Sequence, residues 1–304
     1  MSHDKGRVLS PVITPFAADL SPDTERFVAH CRWLVAQGVG LAVFGTNSEA
    51  NSLAVGEKIQ LLDALTEANI PGDRLMPGTG ACSLPDTVAQ TRHAVAKGVS
   101  GVLMLPPFYY KGVSDEGLFR YYSEVIERVG DERLRVYLYH IPAVSQVPLS
   151  LDLIERLLEA FPNNIVGLKD SSGDWANTQA LIDRFASTGF EVFAGSETFL
   201  LQTLRAGGAG CISATANVNP SAIAQLGKTW KADDADEQQA ALVRIRKIFE
   251  RFPVISALKA ATARYSRDEQ WARLRPPLIE LSEGQRSELY ALLDDASFDM
   301  PGLG

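Results

Sequence analysis

Lys169 is the residue of this sequence whose position favours chemistry most clearly, because it follows the apolar run Ile165 to Leu168 and precedes a polar turn. A buried strand that carries a lysine to its end removes water from the ammonium group, which favours the neutral amine. A neutral amine can attack a ketone and form a Schiff base. The position therefore predicts carbonyl chemistry at Lys169. A lysine whose head simply reaches water is the alternative that the position leaves open.

Other polar residues that end apolar runs suit the same chemistry. Tyr139 closes one run, and a phenol beside an imine-forming lysine can transfer protons, although a tyrosine at a strand end can also serve packing alone. The turn Gly45 to Glu49 resembles a nest of backbone N–H groups that binds an anion, and Thr46 adds a hydroxyl. The carboxylate of Glu197 would repel a phosphate group, so we expect an unphosphorylated substrate, with Glu197 binding its hydroxyls or taking no part in binding.

Eight short apolar runs, separated by amphipathic segments, must position these residues. Each run is nearly apolar throughout, as expected for parallel strands that are covered by helices on one face and by a packed interior on the other. Strand and helix alternate eight times, which predicts a (β/α)8 barrel, with an open doubly wound sheet as the alternative. The predicted strands lie within Val8–Phe16, Gly38–Thr46, Arg74–Gly80, Gly98–Pro107, Arg135–Pro142, Ile165–Ser172, Phe190–Glu197 and Ala209–Asn217.

A barrel collects the C-terminal ends of its strands on one rim, where barrel enzymes carry their active sites. We expect residues 1–230 to form the barrel with the active site and residues 231–304 to form a helical annex packed on it, as one structural unit. The glycine-rich segment 207–210 resembles a phosphate loop, but it precedes the last strand and so lies on the face away from the rim. Ser21-Pro22 and Ser83 to Asp86 predict helix starts.

The composition restricts the classes of partner. The 304 residues carry a formal net charge of −8, which disfavours nucleic acid and anionic membranes and favours a small soluble ligand. The polar first residues predict neither a signal peptide nor a membrane span, so the cytoplasm is the expected location. Four scattered histidines and three separate cysteines predict no metal site and no disulfide framework.

Six segments carry a resemblance to known proteins. They occur in this order: 11–16, 45–49, 106–110, 139–142, 169–174 and 213–217. In combination they resemble the dihydrodipicolinate synthase/N-acetylneuraminate lyase family over essentially the whole chain. The resemblance implies a (β/α)8 barrel whose lysine forms a Schiff base with pyruvate or another 2-keto acid without a cofactor. It also implies a homotetramer built as a dimer of dimers.

The resemblance assigns roles by motif position. Lys169 would be the Schiff-base residue, and Tyr139 would transfer protons beside it. Thr46 would link Tyr139 to Tyr109, which in the family reaches over from a neighbouring subunit. The substrate-binding residues, implied by the family or expected from the rim, are Asn47, Ser48, Ser171, Glu197 and Ile212, the last through its carbonyl group.

Departures from the family pattern bear on the substrate. Asn47 and Ser48 replace the usual second threonine and glycine, so the carboxylate pocket is altered. The synthase branch binds aspartate semialdehyde through an arginine after the Tyr-x-x-Pro run, but residues 143–146 read Ala-Val-Ser-Gln here, which removes a bidentate carboxylate partner. The positions that hold the glycerol chain of a sialic acid are represented only by Glu197, Thr198 and Ala214.

These features predict a class I, metal-independent lyase or aldolase. It would act on pyruvate or on an unphosphorylated, hydroxylated 2-keto acid of the 2-keto-3-deoxy type. Three alternatives stay open: a 4-hydroxy-tetrahydrodipicolinate synthase, a 2-keto-3-deoxy acid dehydratase, and a non-catalytic paralogue that binds a keto acid.

Overall fold

The computed structural model describes residues 5–303. Seven β-strands form one sheet in which every neighbouring pair is parallel, in the order β2-β1-β7-β6-β5-β4-β3. The strands are β1 (Arg7–Ser10), β2 (Gly40–Leu41), β3 (Val102–Met104), β4 (Val136–His140), β5 (Ile165–Asp170), β6 (Glu191–Ala194) and β7 (Gly210–Ile212).

The third predicted run, residues 74–80, closes this sheet into a ring without forming a regular strand. Parallel bridges join it to β2 at Leu75 and to β3 at Gly78. Pro77 has no N–H and interrupts the ladder, although its carbonyl accepts a hydrogen bond from the Leu103 N–H at 2.9 Å. The (β/α)8 barrel is therefore confirmed, with seven strands and one bridging segment where eight strands were predicted.

Twelve α-helices lie in the described part of the chain, most of them alternating with the strands. None of these helices is long and apolar enough to cross a membrane. The helices are α1 (Thr24–Ala36), α2 (Val55–Glu67), α3 (Leu84–Ala96), α4 (Asp115–Val129), α5 (Pro142–Ser145), α6 (Leu151–Ala160), α7 (Trp175–Phe185), α8 (Leu200–Ala206), α9 (Pro220–Thr229), α10 (Ala235–Phe249), α11 (Val254–Ser266) and α12 (Glu283–Asp295).

The two predicted helix starts differ in outcome. Ser83 caps α3 as expected from the sequence. The helix α1, however, begins after Asp23, whose carboxylate accepts a hydrogen bond from the Arg26 N–H at 3.0 Å. The Ser21 hydroxyl donates instead to Asp19 at 2.6 Å, so it is not available as a cap.

Side chains of the strands alternate between the barrel interior and the layer under the helices. On β4, Tyr137 and Tyr139 join the interior cluster, whereas Val136 and Leu138 pack in the larger cluster beneath the helices. Lys169 of β5 stands opposite Tyr139 in the strand register. Lys169 and Tyr139, the two residues predicted from the sequence to react, therefore share the interior face of adjacent strands.

The C-terminal helices reach the rim at which the strands end. The helix α10 packs on α9 and on the 3-10 turn Glu197–Phe199 that follows β6. The helix α11 packs beside the 3-10 turn Thr46–Ser48. The Gln239 side chain of α10 donates to the Glu197 carbonyl at 3.0 Å. These helices therefore contribute directly to the walls of the site at the rim.

Candidate active site

Lys169 and Tyr139 form a buried pair at the C-terminal end of the barrel. Each is only 2% exposed. The Lys169 ammonium nitrogen Nζ donates to the Tyr139 hydroxyl at 3.1 Å and lies 4.2 Å from the centre of its ring. In residues 5–303, Tyr139 is the one side chain that hydrogen-bonds Nζ. An amine so placed has a proton-transfer partner within direct reach.

The Tyr139 hydroxyl has further polar neighbours. The Thr46 hydroxyl lies 3.3 Å from it. Burial disfavours the phenolate, but the charge of Lys169 and hydrogen bonds from Thr46, Lys169 and Ser171 outweigh burial and lower the pKa of Tyr139 below its usual value. A phenol whose pKa moves toward neutrality gives up and recovers a proton more readily, which suits acid–base work.

Hydrogen bonds to the buried Ser48 stabilise the turn that carries Thr46. The Ser48 hydroxyl accepts a hydrogen bond from the Gly45 N–H at 3.1 Å, and the Ser48 carbonyl accepts one from the Thr14 hydroxyl at 2.7 Å. Ser48 is fully buried. It therefore shapes the turn, and its side chain is not among those that line the cavity.

Glu49 ends this turn in the left-handed conformation, with φ of 55°, and forms a fully buried ion pair with Lys259 of α11. Lys259 also donates to the Arg273 carbonyl at 2.8 Å and lies 4.4 Å from the centre of the Phe16 ring. Burial lowers the pKa of Lys259 to about 8, against the raising effect of Glu49. The ion pair ties the helical annex to the turn that holds Thr46.

The end of β5 is fixed by Asp170, the residue after the lysine. Its carboxylate accepts hydrogen bonds from the Ser172 N–H at 3.0 Å and from the Thr178 hydroxyl at 2.6 Å. The neighbouring His140 accepts a hydrogen bond from the Leu149 N–H through Nδ1 at 3.1 Å. Burial lowers the pKa of His140 against the opposing charge of Asp170, so the ring acts as a neutral acceptor. This network orients the strand end from which Lys169 projects.

A cavity of about 440 Å³ opens over the buried pair. This volume is in the range of small-molecule sites. The predicted residues that line it are Thr46, Asn47, Tyr139, Lys169 and Ser171. The lining also includes Ile141, Val144, Asp170, Gly173, Thr178, Gly195, Ser196, Thr198, Phe199, Ala214, Arg246, Glu250 and Val254.

Arg246 is a lining residue that the sequence reasoning missed. It projects from α10, and its side chain is 14% exposed. Its Nε donates to Glu250 at 2.8 Å, and its Nη1 lies 3.5 Å from a carboxylate oxygen of Glu197. No local motif marks it, because only the packing of α10 over the rim brings it to the cavity.

Glu197 lies behind Arg246. Its carboxylate accepts hydrogen bonds from the hydroxyls of Ser213 and Thr215 and is 2% exposed, so it is not part of the cavity wall. Ile212 packs in the barrel interior. The structure thus brings five of the nine predicted site residues to the cavity, while Ser48, Glu197, Ile212 and Tyr109 do not line it within one chain.

Tyr109 lies on the outside of the chain. It is 74% exposed, Tyr110 is 71% exposed, and their rings pack edge to face with centres 5.4 Å apart. Two adjacent exposed tyrosines are unusual on a surface that faces only water.

A closed parallel barrel with a buried lysine and tyrosine beneath a polar cavity at its C-terminal rim defines a class of barrel enzymes that handle small molecules. The chain belongs to the dihydrodipicolinate synthetase family, whose family model matches residues 4–296. The resemblance seen in the sequence is thereby confirmed, and so is the assignment to the lyases.

Individual relatives match along their whole length. An uncharacterised DapA-like lyase of Chloroflexus aurantiacus is 33% identical over 96% of this chain and 96% of its own. The crystal structure of dihydrodipicolinate synthase from Agrobacterium tumefaciens superposes with a TM-score of 0.88 at 30% identity, over 96% of this chain and 99% of that one. The family protein YagE of E. coli K12, solved with pyruvate, gives a TM-score of 0.86 at 27% identity, over 96% and 98% of the two chains.

Proposed function

We propose that this lyase forms a Schiff base between Lys169 and pyruvate or an unphosphorylated, hydroxylated 2-keto acid, and that it makes or cleaves a carbon–carbon bond at C3 of the pyruvyl unit. The observation that carries the proposal is the contact between the Lys169 Nζ and the Tyr139 hydroxyl at 3.1 Å beneath the cavity. The pyruvate bound to the related protein YagE supports the keto acid as ligand class.

The proposed reaction follows from this contact. The neutral Lys169 amine adds to the C2 carbonyl to give a carbinolamine, and loss of water gives an iminium ion. Tyr139 takes a proton from the nitrogen and returns one to the departing hydroxyl. In the cleavage direction the deprotonated Tyr139 takes the proton of the C4 hydroxyl while the C3–C4 electron pair moves toward the iminium, so that an enamine remains on Lys169 and the released fragment leaves as an aldehyde. Protonation at C3 and hydrolysis then release pyruvate and restore the amine.

The turn at Thr46 and Asn47 would hold the pyruvyl carboxylate. Both residues line the cavity, and the turn presents hydroxyl, amide and backbone donors. Asn47 donates through a side-chain amide that reaches farther than a threonine hydroxyl. We therefore expect binding of the carboxylate to be retained with altered geometry.

The far wall of the cavity suits a hydroxylated substrate. The Arg246 guanidinium is shared between the buried Glu197 and the cavity-lining Glu250, so its charge is already neutralised and a phosphate would meet the Glu250 carboxylate. Hydroxyl side chains surround this wall, and hydroxyls can bond both donors and acceptors. They are Ser171, Thr178, Ser196 and Thr198.

A second candidate is 4-hydroxy-tetrahydrodipicolinate synthase, and Arg246 is the observation that favours it. Residues 143–146 carry no arginine for the carboxylate of aspartate semialdehyde. The Arg246 guanidinium lies in the same cavity and would be a replacement partner if the substrate displaced Glu250, which is the more exposed of its two partners.

The proposed assembly is a homotetramer in which Tyr109 completes the site of a neighbouring subunit. Its exposure within one chain supports this role. Thr46 would then connect two tyrosines of different subunits in a proton relay. We further propose that no cofactor is required, that the partner is a small keto acid and neither nucleic acid nor a membrane, and that the enzyme works in the cytoplasm.

Borohydride trapping tests the imine. We expect reduction in the presence of pyruvate to leave a stable adduct on Lys169, seen by peptide mass spectrometry, and the Lys169→Ala variant to give no adduct and no turnover. Lys231→Ala, which removes an exposed amine that does not line the cavity, serves as the control and should be labelled like the wild type. An unlabelled wild type would favour a protein that binds keto acids without covalent chemistry.

A substrate panel separates the candidates once the imine is established. The panel contains 2-keto-3-deoxy sugar acids, N-acetylneuraminate and aspartate semialdehyde with pyruvate, assayed for release or uptake of pyruvate. We expect the highest kcat/KM with a 2-keto-3-deoxy acid. Preference for aspartate semialdehyde would support the synthase, and loss of water from the sugar acid without release of pyruvate would identify a dehydratase.

A further inference from the structure

We propose that a second cavity, at the opposite end of the barrel, binds a small phosphorylated metabolite through its phosphate group. This cavity has a volume of about 420 Å³ and lies at the N-terminal ends of β1 and β2, beside the bridging segment 74–80. Its size is within the roughly 300–1,000 Å³ that small-molecule sites occupy. It shares no lining residue with the cavity over Lys169.

The lining of this N-terminal cavity is positively charged, opposite in sign to the net charge of the chain. Four cationic side chains line it, and Asp73 is its one acidic lining residue, although the whole chain has a net charge of −8. A concentration of positive charge in a concave site attracts anions and holds them. The four cationic residues are Lys5, Arg7, Arg74 and Lys228.

One of these cations is already balanced. Arg7 pairs with Glu191, which also accepts a hydrogen bond from the Tyr137 hydroxyl at 2.5 Å, and its guanidinium lies 5.0 Å from the centre of the Phe193 ring. The remaining three cations form no ion pair with a carboxylate anywhere in residues 5–303. Set against Asp73, they leave an excess of positive charge that matches the charge of about −1.5 to −2 on a phosphate monoester at neutral pH.

Glycines also line this cavity, and one of them leaves space beside a cation. Gly6, Gly38, Gly40 and Gly227 are among its lining residues. A Cβ at Gly38 would stand 3.4 Å from the Lys228 Nζ, so its absence leaves space beside that ammonium group. The glycine-rich segment 207–210 lies at the same end, since a Cβ at Gly207 would stand 3.8 Å from the Lys5 Nζ.

The binding experiment uses the full chain and inorganic phosphate. Isothermal titration calorimetry at constant ionic strength, adjusted with chloride, should show one saturable phosphate site per chain. Arg74→Gln and Lys228→Gln should each weaken binding about tenfold, since each removes a charge-assisted contact. A three-carbon phosphate ester such as glycerol 3-phosphate should bind more tightly than inorganic phosphate, because the cavity has room for more than the ion.

Two matched variants locate the ion. Lys231→Gln removes the same charge from an exposed position shortly after Lys228 and should leave the affinity unchanged. Arg246→Gln removes the cation from the Lys169 cavity and should also leave it unchanged. Because binding is measured without turnover, the result does not depend on the imine chemistry.

Several outcomes would overturn the proposal. The absence of saturable binding would mean that the cations only offset the negative ends of nearby helices. An equal loss in Lys231→Gln would indicate unspecific attraction, and a loss confined to Arg246→Gln would place the ion at the other end of the barrel. An ester that binds no better than inorganic phosphate would rule out the metabolite.

Discussion

Among single residues, the proposed chemistry depends on Lys169 and Tyr139 sharing a buried face. The sequence could predict both, because each closes an apolar run and adjacent parallel strands end at the same rim. Their separation of 3.1 Å is a result of strand register, which no local motif reveals. No sequence pattern marks Arg246, since its place depends on how α10 packs over the loops.

Replacing Tyr139 by phenylalanine removes the hydroxyl and leaves the ring. We expect Tyr139→Phe to lower kcat by about 10²- to 10⁴-fold, which is the usual contribution of a positioned acid or base. Tyr137→Phe is the matched control, because that hydroxyl bonds Glu191 deeper in the barrel. Steady-state kinetics and borohydride trapping should show slow imine formation in the first variant. Kinetics like the wild type would assign Tyr139 to packing alone.

The pH profile of kcat should change with the same substitution. The lowered pKa of Tyr139 places its loss of a proton below the range of an ordinary phenol. The change in kcat at alkaline pH that accompanies this deprotonation should therefore occur in the wild type. It should be absent in Tyr139→Phe. An identical change in both enzymes would assign it to another group.

At the scale of elements, β4 and β5 fit closely because β5 has a glycine opposite a large ring. A Cβ at Gly167 would stand 2.6 Å from the Tyr137 ring and 2.5 Å from the Glu191 carbonyl oxygen. The sequence predicted a strand here but could not show that this position tolerates no side chain. Likewise, a strand at residues 74–80 was predicted from its apolar pattern, while the effect of Pro77 on its hydrogen bonds required the paired neighbours.

Gly167→Ala should therefore destabilise the protein by about 1–3 kcal/mol through overpacking. Gly56→Ala is the matched control, because α2 leaves open space around that glycine and alanine favours a helix by about 0.5–1 kcal/mol. Chemical denaturation should show opposite signs for the two variants. A neutral Gly167→Ala would mean that β5 can shift without loss.

The pair of Lys259 and Glu49 makes the stability depend on pH. The pKa of Lys259 is about 8 in the folded protein, below its ordinary value of 10.5, so between these values the unfolded chain binds more protons. Folding stability should therefore rise as the pH rises from about 8 to 10.5.

The double variant Glu49→Gln/Lys259→Met removes this titration and keeps the volumes similar. The free energy of unfolding of the wild type minus that of the double variant should increase across the same pH range, measured by denaturant titration at a series of pH values. A difference that stays flat would show that Lys259 keeps its proton in the folded protein.

At the scale of the whole molecule, the two ends of the barrel have cavities that differ in their lining residues and in charge. The C-terminal rim holds the buried pair of Lys169 and Tyr139, and the N-terminal end holds the cationic cavity. Composition alone predicted an acidic protein with a small ligand, and the order of strands and polar residues predicted a site at the C-terminal ends of the strands. A local reversal of charge at the other end could not be predicted, because its four cations come from three distant segments of the chain.

Subunit mixing tests the role of Tyr109 in the assembly. Tyr109→Phe and Lys169→Ala should each impair turnover as pure proteins. When they assemble together, some sites combine an intact Lys169 with an intact Tyr109 from the neighbour, so activity should rise above that of either variant. Mixtures no more active than their components would show that Tyr109 does not act across a subunit boundary.

The wall that α10 contributes has a practical consequence for engineering. Lys169 and Tyr139 belong to neighbouring strands, whereas Arg246 and Glu250 lie in the last turn and at the C-cap of α10, nearer the other terminus of the polypeptide. Libraries randomised at these two helical positions would sample new acceptor aldehydes while leaving the electrophile-activating machinery untouched. Catalytic power and substrate scope can thus be evolved separately in this scaffold.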